Sequence, residues 1–336
     1  MAIQQLRLFL SRHLGEGQPH QRAAPVLSEP GGDHEALHRQ LKRLFNAKPG
    51  KDYGRFSQDI GNHPFSSWLG DYLDGRQTFE SFSDSVRNQW QELITRQQAE
   101  VDSPLMLVHE ALADGEVIYL FSLETDSVLQ LDGDLSLQGG EAISQSRLSL
   151  AARIEVNDWR GEHPSENYFT LLQSRGTGER GKLFAELTGF QRNVDVAEET
   201  KTFLEAVESF ARSNEPEQAQ AVRNRAYEFC REQESLGEPV PLSALSGYID
   251  DAQPERFAQH VAQEQSMAPD TVLHPDRRKV RKLVRLSGKG NGMSLSFSSD
   301  LVNQAVHYDK DQDALIITRV PTGLKEQLQD YLDKSE

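Results

Sequence analysis

The chain has little cysteine, few basic residues and no long apolar runs. Its 336 residues include a single cysteine, Cys230, so an intramolecular disulfide is excluded and nothing argues for an oxidising compartment. No stretch approaches the roughly 18–20 apolar residues of a membrane-spanning helix. Gln4, Gln5 and Arg7 interrupt any apolar core of a signal peptide. We therefore expect a cytoplasmic protein without a membrane partner.

The basic residues are not only scarce but also unevenly distributed. The chain has 36 Lys+Arg against 52 Asp+Glu, a net charge of −16, and such a field repels nucleic acid and anionic lipid. The last 66 residues contain eleven basic and nine acidic residues, a net charge of +2, which leaves −18 for residues 1–270. Any contact with DNA is therefore expected to be local and strongly dependent on salt.

Length and periodicity predict two domains of an α+β protein, at roughly 150 residues per domain. N-terminal helices with a largely antiparallel sheet are followed by a helical region that closes in a small helix-plus-three-strand unit. We place an N-terminal α+β domain at residues 1–193 and a C-terminal helical domain at residues 194–336, with a basic helix and a terminal β-hairpin.

Individual elements follow from the spacing of apolar residues. Helical spacing predicts helices from Asp33 to just before Pro49 and over 78–98, 182–187, 199–212, 216–233 and 254–265. Short β-rich runs predict strands at 105–108, 117–123, 128–131 and 148–156. The segments MSLSF, NQAVHY and DALIITRV are the three strands expected near the C-terminus.

One segment matches the H-E-x-x-H zinc pattern, from His34 to His38. Residues four apart share a helix face, so both imidazoles could bind one ion. The third ligand is missing, because residues 39–44 contain no Gly or His and no Glu occurs between Glu35 and Glu80. We predict no bound metal and interpret the histidines as partly exposed positions of an amphipathic helix.

A second segment, Gly176 to Lys182, has the G-x-x-x-x-G-K spacing of a phosphate-binding loop. The next residue is Leu183 instead of the Ser or Thr that holds Mg²⁺, and Glu179 places a negative charge inside the loop. We interpret it as a flexible basic loop that offers secondary phosphate contacts through Arg175, Arg180 and Lys182.

The candidate site is a basic segment near the C-terminus. Asp276 is expected to cap a helix that runs to Leu286, with Val280, Leu283 and Val284 on its apolar face. Gly288, Gly290 and Gly292 then form a Gly-rich turn. Seven cations within 13 residues are the predicted DNA-binding set: Arg277, Arg278, Lys279, Arg281, Lys282, Arg285 and Lys289. Such a set neutralises backbone phosphates without reading sequence. The structural alternative is that these cations pair with acidic helices of the same protein.

The C-terminal segment also resembles a known family. The stretch RKLVRLSGKGNGMSLSFSSDLVNQAVHYDKDQDALIITRVPTGLKEQLQ is similar to the closing segment of the bacterial 37-kDa nucleoid-associated protein family (YejK/NdpA-like). Asn46-Ala47-Lys48 with Tyr53-Gly54 and Phe56-Ser57, and the YFTLL run with its basic loop, also fit that pattern. The resemblance spans about 37–332.

The resemblance implies a cytoplasmic, nucleoid-localised protein that associates with DNA and takes part in chromosome organisation. It implies no enzymatic activity and supplies no catalytic or metal residues, and we expect no cofactor. It also implies that the protein acts together with proteins that control DNA topology, such as type II topoisomerases.

Two hypotheses follow. The first is a nucleoid-associated protein whose basic helix and Gly-rich turn contact the DNA backbone. The second is an acidic interaction protein that binds a DNA-processing enzyme such as a type II topoisomerase through its Glu-rich helices. The acidic residues in question are Glu198, Glu199, Glu205 and Glu208. Whether the active form is a homodimer is left open.

Overall fold

The computed structural model describes residues 2–14, 20–113, 115–131, 133–162, 164–265 and 267–334, apart from the side chain of Arg277. The chain forms two compact units. The N-terminal unit comprises Met1–Glu199 with the short segment Glu234–Glu238, and the C-terminal unit comprises Thr200–Gln233 and Pro239–Glu336. The predicted domain boundary at residues 193 and 194 stays a proposal.

The N-terminal unit is built on strands with helices inserted between them. Its elements in chain order are β1 (Ala2–His13), β2 (His20–Ala23), β3 (Leu27–Ser28), α1 (Asp33–Ala47), β4 (Lys51–Phe56), α2 (Phe65–Leu73), α3 (Phe79–Arg96), β5 (Val101–Ala111), β6 (Glu116–Ser122), β7 (Thr125–Leu131), β8 (Leu137–Ile143), β9 (Leu150–Glu155), α4 (Val156–Arg160), β10 (Phe169–Gln173), α5 (Gly178–Thr188) and β11 (Phe190–Arg192).

Most of these strands form one antiparallel sheet in the order β11-β4-β10-β9-β6-β5-β1-β2, with β3 also paired to β1. The central strands are buried on both faces, which explains why β5 and β6 are nearly continuous apolar runs. Helices α2, α3 and α5 pack on one face around Trp90 and Phe184, and α1 packs on the other through Leu41 and Phe45.

The strands β7 and β8 leave this sheet as a separate two-stranded arm. Leu131 pairs with Leu137 across the arm, and Leu129 lies two residues earlier on the same face. These leucine side chains are exposed, and Leu129 has a relative solvent exposure of 73%. The sequence of the arm, residues 125–143, has four acidic residues and no Lys or Arg.

The C-terminal unit has a helical core. Its elements are α6 (Val196–Arg212), which begins in the N-terminal unit, α7 (Pro216–Leu236), whose last residues belong to that unit, β12 (Val240–Pro241), α8 (Leu242–Ile249), α9 (Arg256–Gln265), β13 (Val272–Leu273), α10 (Arg277–Val280), β14 (Arg285–Gly290), β15 (Met293–Ser298), β16 (Val306–Asp309), β17 (Ala314–Ile317) and α11 (Thr322–Asp333). Phe203, Phe210 and Phe257 lie at the centre of that core.

The predicted fold class, α+β with a largely antiparallel sheet, is confirmed. The closing unit differs in detail from the prediction. It has four strands in two separate hairpins, β14–β15 and β16–β17, where three strands were expected, and it ends in helix α11. The strand that was missed is β14, because its sequence was assigned to the basic helix.

Candidate nucleic-acid interface

The predicted basic helix is wrong beyond its first turn. Helix α10 covers only Arg277–Val280, a 3-10 turn covers Arg281–Leu283, and β14 begins at Arg285. The predicted cap is present, since the Arg278 backbone N–H donates to Asp276 Oδ1 at 2.8 Å. Val280 and Leu283 are buried in the core of the C-terminal unit, so the apolar side of the segment packs inward although the helix does not continue.

The chain turns into a hairpin because its sequence favours a tight β-turn over a helix. Asn291 and Gly292 form a two-residue loop between the paired residues Gly290 and Met293. Both loop residues have positive φ, 49° and 77°, as the type I′ turn of hairpins requires. Continuing the helix would place Gly288 and Gly290 in its interior, at a cost of about 1 kcal/mol each. The strand expected at MSLSF is present as β15, and the Asn-Gly pair before it is the signal in the sequence that indicates a partner strand on its other side.

The hairpin β14–β15, which we call the ribbon, has two chemically different faces. Residues directly opposite each other in an antiparallel pair point to the same side. One side carries the pairs Arg285–Ser298, Ser287–Ser296 and Lys289–Ser294. The other side carries Leu286–Phe297, Gly288–Leu295 and Gly290–Met293. The first, cationic face therefore combines two charges with four hydroxyl groups, and the second face is apolar. The predicted DNA-contacting Gly-rich turn is therefore wrong for Gly288 and Gly290, which are strand residues on the side away from Arg285 and Lys289.

The cationic face and the turn before it are open to solvent. Arg278, Arg281, Lys282, Arg285 and Lys289 are exposed, whereas Lys279 is half-buried. Within the part of the chain that the structure describes, these five exposed cations form no ion pair with a carboxylate. Arg285 donates through Nε to Ser296 Oγ at 2.6 Å, which holds its guanidinium along the ribbon. The pairing with acidic helices that was considered from sequence is thus not observed for these residues.

A polar groove of about 300 Å³ lies beside the base of the ribbon. Tyr227 and Asn224 of α7 line one side of it, and Arg281 and Arg285 line the other. Two carboxylates, Glu228 and Asp300, are also part of its lining. Sequence reasoning did not associate α7 with the basic segment, since the two are some fifty residues apart.

The three secondary phosphate candidates belong to the N-terminal unit. Helix α5 already begins at Gly178, so Arg180 and Lys182 are helical and the predicted flexible loop is limited to the residues before it. Arg180 donates to Ser149 Oγ at 3.1 Å, and Lys182 pairs with Glu179 at 2.6 Å. Arg175 is exposed beside Gly176, whose φ is 91°. Two of the three side chains therefore already have protein partners.

The H-E-x-x-H residues do not converge on one site. His38 is buried, with its Nε2 3.3 Å from Glu110 Oε2, while Glu35 pairs with Arg39 at the helix surface. Burial opposes ionisation of Glu110, but its contacts with His38 and Lys42 outweigh it and lower the pKa of that carboxyl. No cluster of three or more His, Cys, Asp or Glu suited to a metal occurs among the described residues. His38 and Lys42 hold a buried carboxylate instead.

One of the predicted acidic partner residues is engaged within its own unit. Glu208 receives two hydrogen bonds from Arg223, at 2.9 Å each. The same hydrogen bonds raise the pKa of Arg223. Glu198 and Glu205 are exposed, and Glu199 is half-buried.

The fold and the ribbon define an α+β protein with a local cationic, hydroxyl-rich surface, the kind of surface that contacts phosphate backbones. A family model described as nucleoid-associated protein YejK matches residues 11–325, and the chain belongs to this family. Two relatives called nucleoid-associated proteins, from Azotobacter vinelandii and Pseudomonas paraeruginosa, are each 29% identical to it over 297 and 303 residues, 88% of both chains. The predicted family and nucleoid localisation are confirmed, and no described helix is long and apolar enough to cross a membrane.

Proposed function

We propose that the protein is a non-enzymatic, nucleoid-associated protein that binds DNA without reading sequence. The observation that carries this proposal is the cationic face of the ribbon, where Arg285 and Lys289 lie among four serines. Arginine and lysine neutralise phosphates, and serine hydroxyls donate to phosphate oxygens. A two-stranded ribbon also fits the major groove of B-DNA.

The exposed turn that precedes the ribbon extends this surface. Arg278, Arg281 and Lys282 add charge directly before β14, and the acidic remainder of the molecule confines the contact to this region. Phosphate contacts alone give sequence-independent affinity that falls with log salt at a slope of about −0.9 per phosphate neutralised. With seven cations in the segment, we expect a slope no steeper than about −6.

The test is fluorescence anisotropy of a labelled duplex between low and moderate salt. Arg278→Glu, Arg281→Glu and Arg285→Glu combined should abolish binding. A charge-matched control, Lys310→Glu, Arg319→Glu and Lys325→Glu combined, changes the net charge equally at exposed positions outside the segment and should retain most of the affinity. Binding that is insensitive to salt, or equal losses in both triple variants, would falsify the proposal.

A second candidate function is binding to a DNA-processing enzyme such as a type II topoisomerase. The observation that favours it is the β7–β8 arm, which combines four acidic residues with exposed leucines. A partner with a basic, apolar-lined surface would complement the arm in charge and in hydrophobicity. Asp126 of the arm is paired with Arg147, as Glu208 of the Glu-rich helix favoured from sequence is with Arg223. The arm offers more because its leucines are exposed, whereas that helix, which the structure describes in full, has no large apolar side chain among the exposed ones.

A pull-down of purified type II topoisomerase after nuclease treatment tests this candidate. Leu129→Ser, Leu131→Ser and Leu137→Ser combined should abolish capture, and the triple arginine variant of the ribbon segment should retain it. If the arginine variant loses capture and the arm variant keeps it, the interaction is instead assigned to DNA or to the basic segment.

A further inference from the structure

The apolar face of the ribbon has a ridge along one strand and a trough along the other. Met293, Leu295 and Phe297 all lie on β15, and the residues opposite the first two are Gly290 and Gly288 on β14. A Cβ atom added at either glycine would meet nothing within 4 Å. The resulting hollow of about 350 Å³ is lined by ribbon residues alone among those described.

Much of this apolar face is exposed to solvent, which is unfavourable for the stability of an isolated ribbon. Met293 is 61% exposed, Leu286 44% and Leu295 37%. A two-stranded hairpin is marginally stable in water and needs a covering layer on its apolar side. No charged side chain lies on this face, so electrostatics selects neither a nucleic acid nor an acidic or basic protein as that layer.

We propose that the apolar face of the ribbon packs against the same face of a second copy of this chain. A twofold axis parallel to the strands and midway between two facing ribbons places each β15 over the partner's β14. The ridge of each copy then enters the trough of the other, so the surface is complementary to itself, as an isologous interface requires. Leu295 of one copy lies over the open position at Gly288 of the other.

The pairing has a direct consequence for DNA, which rests on the function proposed above. Two sheets packed face to face lie about 10 Å apart. Back-to-back ribbons therefore present their cationic faces, with Arg285 and Lys289, in opposite directions. One dimer can then hold two duplexes, one on each side, and acts as a bridge between them.

The size of the contact sets its strength. Three partly exposed apolar side chains and half-buried Phe297 from each copy supply less than the roughly 800 Å² per partner of a stable complex. The dimer is accordingly weak in free solution. DNA that holds several copies raises their effective concentration and promotes the pairing.

The sharpest variant fills the trough without touching the cationic face. Gly288→Leu is accommodated by the backbone, because Gly288 does not have a positive φ and has open space around it. It places a leucine against Leu295 of the facing copy and blocks docking, although it makes the face more apolar. Gly288→Leu combined with Leu295→Gly exchanges ridge and trough within one cross-strand pair and restores the fit.

Two measurements on the full chain test the proposal. In the first, a duplex immobilised on beads captures a second, fluorescent duplex. Gly288→Leu should lower capture at least tenfold, with single-duplex affinity within twofold of the parent, and the exchange variant should recover most of the capture. Equal capture by the parent and Gly288→Leu overturns the proposal.

The second measurement uses no DNA, so it separates the pairing from the function proposed above. Sedimentation equilibrium up to several hundred micromolar should show the parent moving toward a dimer, with Gly288→Leu needing at least tenfold higher concentration. The pairing is overturned if the parent stays monomeric at every concentration and Gly288→Leu changes only the thermal stability. In that case the apolar face is covered within one chain. Loss of single-duplex binding in every protein, with the dimer intact, overturns the DNA function alone.

Discussion

Two carboxyl groups of the N-terminal unit, buried Glu110 and half-buried Glu155, have pKa values shifted in opposite directions, and their surroundings explain the difference. Glu110 accepts hydrogen bonds from Lys42 and lies 3.3 Å from His38 Nε2, and its pKa is lowered despite its burial. Glu155 has Arg153 beside it, at 2.5 Å, but burial outweighs that attraction and raises its pKa to about 7. The attraction of Arg153 is thus too little to offset the loss of water around this carboxyl group and the repulsion from Glu238 and Asp158.

The raised pKa of Glu155 predicts a specific pH dependence of stability. Between about pH 4.5 and pH 7 the folded protein binds a proton at this group that the unfolded chain does not, so its contribution to the free energy of unfolding falls as pH rises through that range. Glu155→Gln cannot titrate, and it should gain up to about 3 kcal/mol relative to the parent over that range. Urea unfolding of both proteins at pH 5 and pH 8 measures the difference in the free energy of unfolding between them. The contributions of the other titrating groups are common to both proteins and cancel in that difference. A constant difference would mean that Glu155 is ionised throughout.

A helix cap provides a second prediction for a single side chain. Thr78 precedes α3 and accepts a hydrogen bond from the Ser81 N–H at 3.2 Å. Thr78→Ala leaves that donor without its partner and should lower the free energy of unfolding by about 1 kcal/mol. Ser85→Ala, inside the same helix, is the control and should cost nothing, because alanine has the highest helix propensity. Chemical denaturation checks both, and equal effects would contradict the capping role.

Among the elements, the ribbon depends most on one turn. Gly292 has a φ of 77°, a conformation that a β-branched residue adopts only with strain. Gly292→Val should open the ribbon and lower DNA affinity at low salt at least tenfold, with no change in the charge of the protein. Asn291→Gly keeps the type I′ turn available and should bind like the parent. Anisotropy titrations of the two variants make the comparison. If Gly292→Val binds normally, the ribbon is not the DNA-contacting element.

The elements that sequence predicted well are those whose packing is local. Helix α3 carries a strong apolar stripe and a Thr cap, and both signals lie within the helix itself. The basic segment also has an apolar stripe that packs into a core, since Val280 and Leu283 are buried. The turn at Asn291, however, makes residues 285–298 two paired strands. Strand β1 was missed because its polar residues, such as Arg7, are buried by partners far along the chain. The cations of the candidate site were identified from sequence, whereas the four serines beside them depend on strand register.

For the whole molecule, the acidic remainder should weaken the attraction of the basic segment for DNA. The net charge of −18 over residues 1–270 creates a repulsive field that extends about one Debye length, roughly 10 Å at 0.1 M salt. Affinity therefore reflects a balance between a local attraction and a distributed repulsion. The two contributions differ in their distance from the DNA and so respond differently to salt.

This balance predicts that acidic residues outside the basic segment affect binding only at low salt. Glu205→Gln and Glu217→Gln remove two exposed charges outside the basic segment. The double variant should bind DNA about twofold more tightly at 20 mM salt and equally at 300 mM, where screening is nearly complete. Anisotropy at the two salt concentrations tests it, with Gln218→Ala on α7 as a neutral control. A gain that persists at high salt would place these residues near the bound DNA.

The pairing of β1 with β5 has a consequence for how the protein is made. The two strands pair from Ala2 with Ala111 to His13 with Val101. A ribosome adds roughly 5–20 residues per second, so the first strand waits for some seconds before β5, its longest partner, exists. During that time Leu6 and Phe9, which are buried in the finished sheet, have only the short strands β2 and β3 beside them. The newly made first strand therefore stays incompletely covered until β5 follows, and slowed synthesis before residue 111 should increase aggregation of the chain.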